Sequence, residues 1–172
     1  MALQMIFCVE TNKKADTDSI YITETINMFY EATNKISRKF IHLGTKSKYN
    51  DKETLKKIAN WSKQFAIGET RVIYFVDTDM YERCPEQKKQ LEDIREFCYM
   101  NNYGFVWFCH DVEEVYLGKS IVDSKKVLEA GNFRRKKMIN TINANNLSSK
   151  VVRKNASNIL TVLDEYFERK KG

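Results

Sequence analysis

Proline is almost absent: Pro85 is the only one in 172 residues, and glycine occurs six times. A chain this poor in backbone breakers excludes a loop-rich all-β fold and favours long helices with short connections. Histidine is scarce as well, and His42 and His110 are too few for a histidine-rich metal site. The four cysteines, Cys8, Cys84, Cys98 and Cys109, contain no C-x-x-C pair, so their spacing predicts no structural zinc site. Cys8 and Cys109 lie inside apolar runs and read as buried free thiols, which fits a reducing compartment. No run approaches the roughly 18 apolar residues of a membrane helix. The opening MALQMIFCVE lacks the basic segment of a secretory signal. The expected location is therefore the cytoplasm, with no membrane partner.

What is present describes a soluble globular protein: 42% hydrophobic and 30% charged residues. The length suits one domain, large enough to bury roughly 70% of its unfolded surface. The net charge of +6 suits a partner that carries phosphates.

Two hydrophobic periods alternate along the chain. Short apolar runs at 3–10, 39–46, 71–77 and 103–109 predict buried strands. Between them, 19–35, 51–65 and 85–102 carry apolar residues at helical spacing, with Asp51 as an N-cap and Pro85 in a first turn. In the second of these helices Leu55, Ile58, Trp61 or Ser62, and Phe65 are expected to face inward. A short helix over 111–118 is capped by Asp111 and stopped by Gly118, and further helices are expected over 124–146 and 157–171, around a polar loop at 147–156. The order βαβαβαβ, with continuous apolar strands, predicts an α/β fold: a four-stranded parallel sheet of Rossmann-like type flanked by helices, with extra C-terminal helices. Residues 1–118 would form the core and 119–172 a helical extension packed on it, within a single domain overall.

In such a sheet the ligand crevice lies at the carboxyl ends of the strands. The first strand ends in Glu10, the third in Asp77-Thr78-Asp79, and the fourth runs into His110, Asp111, Glu113 and Glu114. Each acid alone has an ordinary reading as a turn former, a helix cap or a first-turn residue. Together they repel one another unless a cation lies between them, and oxygen-only ligands suit Mg²⁺ or Mn²⁺. No G-x-G-x-x-G or G-x-x-x-x-G-K-[ST] motif occurs, which argues against a dinucleotide or a P-loop nucleotide.

FCVE on the first strand and YFVDTD on the third, in this order of elements, resemble the Toprim family across roughly residues 3–118. The stand-alone RloB-like and OLD-type Toprim proteins look most similar, with HDVEEVYLG matching their acidic helix after the fourth strand. The resemblance implies Glu10, Asp77 and Asp79 as ligands of Mg²⁺ or Mn²⁺, and Glu113 as a fourth acidic member of the catalytic site. It also implies a nuclease or related phosphoryl-transfer activity on DNA or RNA, a role in phage defence, and a separate ATPase partner. Thr11 and Met80 stand where the family usually has glycine, which keeps a second reading open: a Toprim-like module without catalysis that docks a partner protein or RNA.

For contacts to nucleic-acid phosphates the candidates are Lys46 at the end of the second strand, Lys13 just after Glu10, and Arg134 and Arg135 in the cationic run NFRRKKM. Tyr21, Phe29, Tyr30 and Trp107 read as core residues rather than as stacking platforms for bases.

Overall fold

The computed structural model describes residues 1–171. Four strands form one all-parallel sheet: β1 (Ala2–Val9), β2 (Ile36–His42), β3 (Gly68–Asp77) and β4 (Gly104–Phe108), in the order β2-β1-β3-β4. Among the described residues seven α-helices accompany them: α1 (Asp18–Phe29), α2 (Lys52–Gln64), α3 (Pro85–Met100), α4 (Val112–Leu117), α5 (Asp123–Arg135), α6 (Ala144–Leu147) and α7 (Ile159–Leu163). The predicted α/β class and parallel sheet are both observed.

Strand alternation sorts the core into two layers. Met5, Phe7, Val9, Ile73, Phe75, Val106 and Phe108 point to one face, where they join Ile22 and Ile26 of α1, Phe133 of α5 and Leu160 of α7. Ile6, Cys8, Val72, Tyr74 and Val76 point to the other, against Ile58 of α2 and Ile94 and Cys98 of α3. A sheet covered on both faces needs apolar residues at every strand position, and this explains the unbroken runs. Cys8 and Cys109 are buried and free, as their settings predicted.

The boundaries differ from expectation in four places. Helix α1 ends at Phe29 rather than 35, because Tyr30 turns into an extended conformation and bridges Arg169. Strand β2 consequently starts earlier and stops at His42, and a 3-10 turn at Lys46–Lys48, with Thr45 at its N-cap, follows. The helix expected over 124–146 breaks after Arg135: Lys137 takes φ +51, a 3-10 turn follows at Met138–Thr141, and Asn143 caps the short α6. That reversal lets Phe133, Ile139 and Leu147 all reach one core. The helix expected over 157–171 contracts to Ile159–Leu163. Leu55 is 38% exposed, since Thr54 and Ile58 are the buried residues of α2.

The C-terminal segment explains that last contraction. Residues 156–158 lie along the free edge of β4, where unpaired backbone groups would otherwise invite association. Ala156 C=O accepts the Cys109 N–H at 3.0 Å. The Asn158 side chain accepts the Trp107 N–H at 2.9 Å and donates to Phe105 C=O at 2.9 Å. One amide thus imitates a strand residue. Asn158→Ala leaves both groups without partners and is expected to destabilise the protein by about 1–3 kcal/mol, read as a lower urea midpoint; an unchanged midpoint contradicts this role.

Candidate metal centre

The sheet order reverses direction between β1 and β3. From β1 the chain first adds β2 on one side and then β3 on the other. At such a switch point the loops leaving the two central strands part and open a crevice. Glu10 leaves β1 there and Asp77 ends β3 beside it, since Val9 pairs with Phe75 in register. The Glu10 carboxylate accepts the Asp77 N–H at 2.8 Å, which ties the two strand ends together. Asp79 follows in a left-handed conformation, φ +49, with its N–H donating to His110 C=O at 2.9 Å.

A cleft of about 500 Å³ opens at this edge, lined in part by Glu10, Asp77, Asp79, Asp18, Glu113 and Lys126. Sequence patterns predicted Glu10, Asp77, Asp79 and Glu113, and the fold brings all four to one cavity. Asp18 and Lys126 were not anticipated. Asp18 opens α1, the helix after β1, and so returns to the edge where β1 ended; its buried carboxylate accepts the Thr11 N–H at 3.3 Å. An Asp in a first turn looks like any dipole-favoured acid in sequence, and only the topology marks it. Lys126 arrives on α5, whose docking no local pattern reveals.

Burial and mutual repulsion dominate the electrostatics. Glu10 is pushed up to about 8, first by burial and then by Asp18 and Asp79, against the pull of Lys46 and the Asp77 N–H. Asp18 is raised to about 7 by burial and by Glu113. Asp77 is held well above the usual carboxylate range by burial, Glu10 and Asp18. Glu113, 1% exposed, is raised by burial despite Lys126. Its Oε2 lies 3.2 Å from Lys126 Nζ but has no partner in hydrogen-bond geometry. Burial and mutual repulsion thus disfavour the ionised form of Glu10, Asp18, Asp77 and Glu113, with Lys46 and Lys126 offsetting only part of it.

The candidate phosphate contacts fare differently. Lys46 is only 6% exposed. Its ammonium donates to Asp77 C=O at 2.7 Å, pairs with the Asp79 carboxylate and stands 4.0 Å from Glu10. It is a buried, tethered counter-ion of Asp79 rather than a cation on the cleft rim. Lys13 is exposed in a 3-10 turn, Lys13–Ala15, beside the cleft residues Asn12 and Ala15. Arg134 and Arg135 lie about 12 Å or more along α5 from Lys126, at 1.5 Å per residue. Arg134 pairs there with Glu24 at 3.1 Å and Arg135 with Asn132. The structure therefore does not bring the arginines to the acids.

Among the described residues, no three cleft acids close their side-chain oxygens to within 4.8 Å of one another. Glu82, Cys109 and His110 do bring three donor atoms that close, in the neighbouring loops. Tyr21 and Tyr116 stack at 5.1 Å beneath the cleft, buried as core residues, and Tyr30 is buried too. Trp107 is largely buried on β4. No helix is long and apolar enough to cross a membrane, among the described residues. No protein-family model matches the chain, and no curated protein matches its sequence.

Proposed function

We propose that the chain is a phosphoryl-transfer enzyme of Toprim type, a nuclease dependent on Mg²⁺ or Mn²⁺. The observation that carries this reading is the convergence of Glu10, Asp77 and Asp79 at the switch point of a parallel sheet. The residues present fit such a cation. The donor set is oxygen-only, as hard divalent ions require. Burial and repulsion raise Glu10 and Asp18 into the neutral range, and Glu113 Oε2 is buried without a hydrogen-bond partner. Glu10, Asp77 and Asp79 would hold the ion, with Asp18 and Glu113 completing the acidic wall. When bound, the cation supplies Lewis acidity toward a phosphodiester and offsets its charge.

The chain's own groups do the rest. The Glu10–Asp77 N–H bond fixes the spacing of the two strand ends. Lys46, held on the Asp77 C=O and paired with Asp79, would supply a fixed positive charge next to the acids, of the kind that steadies charge developing in a transition state. Lys13 at the rim meets the flanking backbone of DNA or RNA. A role in phage defence beside a separate ATPase chain belongs to the same reading.

One observation favours a second reading. Lys46 already spans Glu10 and Asp79, as in a module that neutralises its own acids, binds no metal and docks a partner protein or RNA. Incubation with plasmid, single-stranded DNA and tRNA in Mn²⁺ separates the two. Glu10→Gln, which keeps an acceptor for the Asp77 N–H, is expected to lose at least about 100-fold in cleavage rate. Equal cleavage by wild type and Glu10→Gln, or none by either, rejects the enzymatic reading.

A further inference from the structure

We propose that Glu82, Cys109 and His110 form a second metal site, selective for a zinc-type transition-metal cation, which clips the loop after β3 to the loop after β4. Their donor atoms already lie within 4.8 Å of one another. His110 Nε2 faces the Glu82 carboxylate at 3.2 Å. A thiol, an imidazole and a carboxylate form the mixed donor set that zinc accepts and that Mg²⁺ does not favour. The two sites are thus separated by the hardness of their ligands.

Two features show that the cluster is built rather than incidental. The first is Glu114, a buried residue whose Oε2 lies 3.0 Å from His110 Nδ1. A carboxylate on one imidazole nitrogen orients the ring, fixes the tautomer and leaves the other nitrogen for the metal. The second is the backbone. Adjacent residues on an extended strand point to opposite sides. His110 departs from the strand at φ +61, a left-handed conformation that histidine tolerates better than most non-glycine residues. That turn swings the ring back toward the Cys109 thiol. The conformation is held from outside: Thr78 Oγ1 accepts the His110 N–H at 2.8 Å, and His110 C=O accepts the Asp79 N–H at 2.9 Å. Backbone strain of this kind persists where surrounding contacts over-determine it and gathers at functional sites.

The ligands come from both loops: Glu82 follows Asp79 and Met80, and Cys109 with His110 follows β4. A cation joining them fixes the loop that carries Asp79 without touching the cleft acids. On binding, the Cys109 S–H bond breaks, a sulfur–metal bond forms, and one proton passes to solvent. Sequence spacing pointed away from zinc because two of the ligands are adjacent and the third lies 27 residues earlier, in a separate loop.

The test is a Co²⁺ titration of the full chain, followed by absorption. Wild type is expected to bind one equivalent with a thiolate-to-cobalt charge-transfer band in the near ultraviolet, and stoichiometric Zn²⁺ is expected to remove it. Cys109→Ser loses the band. His110→Asn, in which Asn tolerates the left-handed backbone, binds at least 10-fold more weakly. Glu114→Gln, a positioning residue, weakens binding by about 10–100-fold without removing the band at saturation. Cys84→Ser and Asp77→Asn keep both band and affinity. No band in wild type, or a band that survives Cys109→Ser or is lost in Cys84→Ser, overturns the proposal. If Cys109→Ser fails to fold, His110→Asn and Glu82→Gln decide: unchanged affinity in both overturns it.

Discussion

Asp77→Asn is expected to raise the melting temperature of the metal-free protein and to abolish its response to Mn²⁺. The two effects have one cause. Asp77 lies against Glu10 and near Asp18, Asp111 and Glu113, and burial with this crowding holds its carboxyl well above the usual range. The Lys46 ammonium bonds the Asp77 main-chain oxygen and pairs with Asp79. An isosteric amide removes a repelling charge and keeps the packing and the main-chain bonds to Glu10 and Lys46. A gain of roughly 1 kcal/mol corresponds to about 2–4 °C in a protein of this size. Stability gained by neutralising a functional residue reflects a trade between folding and activity. In wild type, millimolar Mn²⁺ is expected to stabilise by selective binding to the folded state, about 2.7 kcal/mol at a hundredfold excess over Kd. An Asp77→Asn protein that melts lower than wild type, or that still shifts with Mn²⁺, contradicts this role. In that case Asp77 is an ordinary turn former.

Raising the pH from 5 to 8 is expected to destabilise the metal-free protein, and Glu10→Gln is expected to flatten that slope. Glu10 in the folded chain is raised to about 8 and Asp18 to about 7, whereas unfolded carboxyls titrate near 4. The folded state therefore binds more protons across this window, and stability falls as pH rises. The contribution is fully present below the unfolded value and is lost as pH passes through 7 to 8. This runs opposite to the usual salt-bridged carboxylate, such as Asp164, which its Arg169 and Tyr30 hydrogen bonds hold low against burial. A divalent cation is expected to reverse the trend, because it would displace protons from the same groups and bind more tightly at pH 8 than at pH 6. Urea midpoints at pH 5, 6.5 and 8, with chelator and with Mn²⁺, report both effects. A wild-type slope equal to that of Glu10→Gln would show that Glu10 titrates normally.

The sheet and the principal acids were legible because both depend on local pattern. Unbroken apolar runs mark buried parallel strands, and the order of elements alone places Glu10 and Asp77 at one edge. The rest depends on long-range docking. Asp18, in a helix's first turn, and Lys126, in a helix interior, carry no local pattern that marks them as site residues. Arg134 to Lys137 stood out as a cationic run, yet α5 carries the run away from the cleft and delivers Lys126 instead. Lys46 was visible as a cation at the active edge, but not as one buried against Asp79. No proline within 124–146 marks the break after Arg135. The chain turns there at Lys137, where the gain from burying Ile139 and Leu147 outweighs the cost of one left-handed lysine. The Glu82–Cys109–His110 group was hidden for a similar reason: its members meet only after two loops are hydrogen-bonded together.

Anomalous scattering from a crystal soaked in Mn²⁺ addresses the metal centre most directly. The account predicts one strong peak in the cleft within coordination distance of Glu10 and the Asp77–Asp79 pair, with the Lys46 ammonium moved off Asp79. A cleft that stays empty at millimolar Mn²⁺, with Lys46 still seated between Glu10 and Asp79, would contradict it.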